Sequence, residues 1–131
     1  MNWNDNFLYK YSAKIKRVLD GDTIHVMLDL GCRQYVYKEI RVVGLDGTPF
    51  DAPEIKLYKG VTEEEKELGL EAKAKAEEIF PIDSEIRIIS HKDSTGKYGR
   101  LLATPFFKDE NAGWTNYVDF MIAKGYYNVD K

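Results

Sequence analysis

Apolar and polar positions alternate in short runs over most of the chain. From Leu8 to Leu19, Ile15 and Val18 are interleaved with Lys14, Lys16 and Arg17, and an Asp-Gly pair follows. This predicts a strand running into a turn. Thr23 to Leu28 alternates more strictly, with Ile24, Val26 and Leu28 on one face and His25 and Met27 on the other. Asp29-Leu30-Gly31-Cys32 turns the chain, and Gln34 to Leu45, rich in β-branched and aromatic residues, predicts a third strand. A loop from Asp46 to Gly60 carries Pro49 and Pro53. Thr62-Glu63-Glu64-Glu65 reads as a capping box, opening a helix that runs to about Phe80 and stops at Pro81. Its expected buried stripe is Leu68, Ala72, Ala76 and Ile79, with Glu71 and Lys75 paired on the surface.

Glu85 to Ser90 predicts a fourth strand, Lys92 to Tyr98 a polar turn, and Arg100 to Phe107 a fifth strand. After a loop from Asp109 to Gly113, the positions Trp114, Tyr117, Val118, Met121 and Ile122 have the spacing of a buried helix face, capped at Gly125. The order β-β-β-α-β-β-α with short strands fits one domain, mainly β with α. It is a five-stranded Greek-key barrel with two or three packed helices, the oligonucleotide-binding architecture. Fold alone does not specify chemistry.

Composition narrows this picture only a little. At 131 residues with 44% hydrophobic and 31% charged side chains, the chain can bury one core and contains no membrane-length apolar run. Met1 to Ser12 has no basic region followed by an apolar core, so no secretory signal is expected and the chain reads as cytoplasmic and monomeric. The single Cys32 has no partner for a disulfide or a thiolate zinc site. A net charge of −3 argues against coating nucleic acid by bulk electrostatics, but a nucleic-acid enzyme needs only a local field.

Three short stretches concentrate chemistry. Arg41 to Glu54, RVVGLDGTPFDAPE, gathers a cation, two aspartates and a glutamate behind a stiffening proline. Asp20-Gly21-Asp22-Thr23 lies upstream, and Lys97-Tyr98-Gly99-Arg100 downstream. Each taken singly reads equally well as an ordinary turn or a solvated loop. His25 and His91 lack partners at metal-ligand spacing and read as structural or surface residues.

The ordered set is more specific. DGDT, RVVGLD, DAPE, a helix, then DSTGKYGR and LLA resemble the staphylococcal-nuclease (thermonuclease) family from roughly Tyr11 to Gly125. The resemblance implies a calcium-dependent phosphodiesterase on a barrel of this type, acting on single-stranded DNA or RNA and leaving 3′-phosphate and 5′-hydroxyl ends. It implies that Asp22 is a calcium ligand with Asp20 nearby, that Ala52 adds a backbone carbonyl, and that Arg41 contacts the scissile phosphate. It further implies Glu54 as general base, Arg100 as the second phosphate arginine, and Lys97 and Tyr98 as contacts to a neighbouring phosphate. These types suit the reaction. Arginine forks hold charge developing on phosphoryl oxygens, carboxylates and carbonyls suit calcium, and a carboxylate can deprotonate water.

This chain departs from the family in two places. Extra residues separate the strand arginine from Asp-x-Pro-Glu, so counting forward from Arg41 selects Asp46 as a metal ligand and counting back from Glu54 selects Asp51. Asp51 is the favoured ligand because it keeps ligand and base in one rigid turn, with Asp46 as the alternative or an assisting acid. In addition, the substrate-stacking tyrosines that follow the family's last helix have no counterpart beyond Tyr126 and Tyr127, which serve either that role or packing. Two rival readings stand beside the enzyme. One is a catalytically weak or inactive module of the same fold that binds nucleic acid or protein. The other is an unrelated barrel that binds oligonucleotides by stacking, which ranks last because most aromatics are expected to face the core.

Overall fold

In a computed structural model, which describes residues 9–53, 61–95 and 100–127, the first three strands form a meander. They are β1 (Lys10–Asp20), β2 (Thr23–Asp29) and β3 (Tyr35–Val42). Helix α1 (Glu63–Ile79) leads to β4 (Glu85–Thr95), β5 (Leu101–Asp109), β6 (Gly113–Asn116) and helix α2 (Tyr117–Ala123). The sheet order is β3-β2-β1-β4-β5-β6, and a parallel pairing of β3 with β5 (Ile40 with Leu101, Val42 with Ala103) closes five strands into a barrel. The protein is therefore mainly β with α, an oligonucleotide-binding type of barrel with one extra strand and two helices among the described residues. None of the described helices is long and apolar enough to cross a membrane.

The barrel closes because one face of each strand is apolar. Ile15, Ile24, Val26, Ile40, Val42, Ile86, Ile88 and Ala103 point inward and are buried. α1 covers one mouth with Ala72, Ala76 and Phe80, and α2 adds Met121 and Tyr117, which meets Phe50 edge to face and Phe80 at a 45° tilt. Thr62 caps α1 by accepting from the Glu65 amide at 3.1 Å. Phe80, ahead of Pro81, leaves the helical region and ends it.

Several boundaries differ from the pattern-based expectation. The stripe of α1 is shifted: Gly69 is buried with Ala72 and Ala76, while Leu68 and Ile79 are half-buried. Lys75 pairs with Glu78 at 3.3 Å instead of Glu71, its ammonium lying near the Phe120 ring. β4 runs on through Thr95 because β5 continues to pair with it, Thr95 opposite Leu101 after a register slip. Trp114 belongs to the unforeseen edge strand β6, stacked on Arg87 at 4.4 Å, and not to the last helix. That helix cannot start before Asn116, whose side-chain oxygen caps the Val118 and Asp119 amides, so Ile122 is left 48% exposed. Its end is as expected. Gly125, at φ +82°, donates to Ile122 and Tyr126 donates to Met121, a Schellman arrangement.

The Asp20–Thr23 turn is where barrel and helices meet. A Cβ on Gly21 would stand 2.8 Å from the Ala52 Cβ, and the Gly21 carbonyl accepts from the buried Tyr117 hydroxyl at 2.6 Å. Burial, then the charges of Asp22 and Asp20, hold that phenol well above its ordinary pKa, so it remains a donor. Gly21→Ala is expected to destabilise the fold by about 1–3 kcal/mol, the cost of overpacking a closed contact. Thermal melts at neutral pH check this, and an unchanged midpoint would mean the turn yields freely.

Candidate active site

Pairing register places the first arginine. In the β2–β3 hairpin Arg41 stands opposite Thr23, one residue after Asp22, and its side chain lies on the outer face of the barrel. The residues after β3 double back: Val43 bridges Pro49, Gly44 accepts and donates across the loop, and Phe50 donates to Val42 at 3.1 Å. The extra residues thus close on themselves as a small hairpin, with Gly47 at φ +85° in its tip. The chain re-emerges beside Arg41 almost where it left.

This return sets the geometry. Arg41 Nη1 donates to the Phe50 carbonyl at 2.5 Å and the Val42 carbonyl at 3.1 Å, while Nη2 meets Asp51 Oδ1 at 2.5 Å. Asp22 Oδ2 lies 3.8 Å from the same guanidinium and accepts from the Ala52 amide at 3.0 Å; Asp22 Oδ1 accepts from the Thr23 hydroxyl. One guanidinium therefore bridges two carboxylates from separate segments. Burial pushes the Asp22 carboxyl up to about 6, assisted by a hydrogen bond to and repulsion from Asp20, and only partly opposed by Arg41 and the Ala52 amide.

Asp46 lies elsewhere. Its carboxylate accepts from the Thr48 amide at 3.0 Å in the exposed hairpin tip, and that bond is the main reason its pKa falls below the usual value. The structure brings Asp51, not Asp46, to Asp22 and Arg41. Arg100 directly precedes β5, so the parallel pairing sets it beside Glu39, with Arg100 Nε 3.8 Å from Glu39 Oε2. Arg41 and Glu39 share a face of β3, which puts both arginines on the outer surface of the barrel. Glu54, Lys97 and Tyr98 lie outside the described residues.

Histidine reasoning from spacing alone missed a contact. His25 Nδ1 lies 2.6 Å from the Tyr37 hydroxyl and Nε2 lies 3.0 Å from Glu39 Oε1, the same carboxylate that meets Arg100. Counting back along both strands from the Leu30–Gln34 turn sets His25 opposite Glu39, so hairpin register was the signal that could have found it. Tyr126 is half-buried against the core, a packing residue, while Tyr127 remains 38% exposed. Among the described aromatics, Phe50, Phe80 and Tyr117 are buried and Tyr11, Phe107, Phe120 and Tyr126 pack partly buried against the core, while Tyr35, Tyr37 and Tyr127 are exposed.

Chemically, the cluster offers oxygen donors and guanidinium. Among the described residues no three His, Cys, Asp or Glu side chains converge as a ready metal cage. The two carboxylates at Arg41 could share a hard cation, and a guanidinium so placed could receive a phosphoryl oxygen. Comparison with models of known families finds no match, and comparison with curated proteins finds none either.

Proposed function

We propose that this chain is a calcium-dependent endonuclease that hydrolyses phosphodiester bonds of single-stranded DNA or RNA, leaving 3′-phosphate and 5′-hydroxyl ends. The observation that carries the reading is the meeting of Asp22, Arg41 and Asp51 at one point, with Arg100 on the same outer surface. The donor set suits calcium in kind, because Asp22 and Asp51 present carboxylate oxygens. Asp22 and Asp51 would hold the calcium ion, which would supply Lewis acidity toward the phosphate.

The residues then divide the work. Arg41 exchanges its bond to Asp51 for a phosphoryl oxygen, keeping a planar fork that cannot lose its proton. Arg100 offers a second cation for the charge that develops in the trigonal-bipyramidal state. Glu54, two residues beyond Ala52, takes the proton of the attacking water. Lys97 and Tyr98 contact the neighbouring phosphate.

A second reading has its own support. Arg41 is committed to Phe50 and Asp51 and Arg100 approaches Glu39, which suits a binding module with little or no turnover. Cleavage of single-stranded DNA and RNA in calcium and in EDTA separates the two. The enzyme is expected to cut only with calcium, and Glu54→Gln to lose on the order of 10²–10⁴ in turnover, the usual worth of a positioned base. Arg100→Ala should lower kcat more than it raises KM. Equal cutting in EDTA, or full activity in Glu54→Gln, would sink the mechanism. No cutting by the parent chain would favour the binding module.

A further inference from the structure

We propose that the outer face of β1–β3 is a track for single-stranded nucleic acid, on which the Tyr37 and Tyr35 rings each take one base. The track rests on the proposed function for its direction, since it starts at Arg41, but binding along it needs no cleavage.

Alternation along β3 puts Tyr35, Tyr37, Glu39 and Arg41 on one face. Tyr35 is 63% exposed and Tyr37 49%, although both are large enough to be expected in a core. Tyr37 is held in place. Its hydroxyl meets His25 Nδ1 at 2.6 Å, the rings stand edge to face at 5.5 Å, and Glu39 fixes the other imidazole nitrogen. A ring so anchored loses little freedom when a base stacks on it. Positions two apart on a strand are separated by about 6.7 Å. That is roughly twice the 3.4 Å step between stacked nucleotides, so a strand laid here has its bases drawn apart, one to each ring. Duplex bases cannot do this. From Arg41, Tyr37 is about 13 Å away and Tyr35 about 20 Å, a span of two and three extended nucleotides.

The surroundings favour a phosphate backbone. Beside Tyr35 and Met27, Lys14 and Lys16 wall a cleft of about 350 Å³, and Arg17 stands opposite His25. Two acids near this face are paired, Glu39 between His25 and Arg100 and Asp83 with Lys16, while Asp29, which accepts from the Gly31 amide, and Glu85, in register with Lys14, also line the cleft. The net negative charge of the chain is concentrated elsewhere, in the glutamates of α1. A protein partner would favour a contiguous apolar centre with few charges. Separate rings among cations instead match a stacking platform.

The test uses the full chain and fluorescein-labelled oligothymidylates in EDTA, read by anisotropy. Affinity is expected to rise steeply between two and four nucleotides, and a duplex of equal length to bind at least about tenfold more weakly, its bases being unavailable for stacking. Tyr35→Ser with Tyr37→Ser should weaken binding about thirtyfold or more. Tyr35→Phe alone should bind within about twofold of the parent, because the ring face remains and the Tyr37 anchor is untouched. Lys14→Ala with Arg17→Ala should flatten the slope of log affinity against log salt by about 1.4. Unchanged binding by the double serine variant, or duplex binding as tight as single-strand binding, overturns the track. So does a serine variant whose only change is loss of self-association in sedimentation, since the face would then join copies of the chain. Calcium-dependent cleavage by the parent chain is scored separately. Cleavage with tyrosine-independent binding sinks the track alone, and tyrosine-dependent binding without cleavage sinks the nuclease alone.

Discussion

At pH 8, Asp22→Asn is expected to unfold at a higher temperature than the parent chain, by about 5–10 °C, while losing calcium-dependent cleavage. The reason lies in where Asp22 sits. Its carboxyl is raised to about 6, chiefly by burial and next by Asp20, against an ordinary value of 3.8. A carboxyl raised on folding makes the folded state bind the proton more tightly than the unfolded state. Below about pH 3.8 both states are protonated and no penalty exists. Between 3.8 and about 6 the penalty grows, and above 6 it is complete, so stability falls as pH rises through this window. Relief of that penalty is of order 1–3 kcal/mol at pH 8. An asparagine at this position can still accept from the Ala52 amide and donate toward Asp20 and Thr23. Thermal melts of both chains from pH 3.5 to 8 check the sign. The gap should be wide at pH 8 and close by pH 3.5, and a gap independent of pH would rule out ionisation as its cause. Calcium should raise the melting temperature of the parent and leave the variant unmoved, since a ligand of the folded state stabilises it by mass action.

Arg41→Ala is expected to damage both stability and catalysis, whereas Arg41→Lys should damage mainly catalysis. The side chain is only 14% exposed and its guanidinium joins the Phe50 carbonyl, the Val42 carbonyl and Asp51. Truncation strands a carboxylate and two carbonyls at the exit of the inserted hairpin. Breaking a largely buried pair in this way costs on the order of 3 kcal/mol. Lysine can keep one charged contact but cannot bridge Phe50 and Asp51 with a planar fork. If Arg41 holds the scissile phosphate, either change should lower turnover on the order of 10³, in line with the loss of a group aimed at developing charge. Denaturant melts and single-turnover cleavage, run on both variants, separate the two effects. A lysine variant with parental turnover would remove Arg41 from the chemistry and leave it as a strut of the hairpin.

The elements with a strong period were legible from residues alone. The inward row of β2, the Thr62 cap, the stop before Pro81 and the Gly125 terminus each follow from local rules that do not need the rest of the chain. Where a boundary depended on a partner strand, the pattern misled. β4 continues past Ser90 and Trp114 joins β6 because β5 supplies hydrogen-bond partners to both, and no local period records that. Asp22, Arg41, Asp51 and Arg100 could be named from motif order. The meeting of Asp22, Arg41 and Asp51 could not, because it rests on the β2–β3 register and on the hairpin that folds Val43 against Pro49, and Arg100 comes to the same outer face only through the parallel β3–β5 pairing.

The choice between Asp46 and Asp51 shows the difference most clearly. By itself the sequence determined residue types, including the two aspartates and the arginines, and the two faces of β2, because alternation and turn chemistry are local properties. Only the tertiary structure decided which aspartate meets Arg41, that Asp22 is buried enough to hold its proton to about 6, and that Tyr35 and Tyr37 face water. Each of these depends on groups distant in the chain removing, or failing to remove, water from a side chain. That is a property of packing, and it has no period to read.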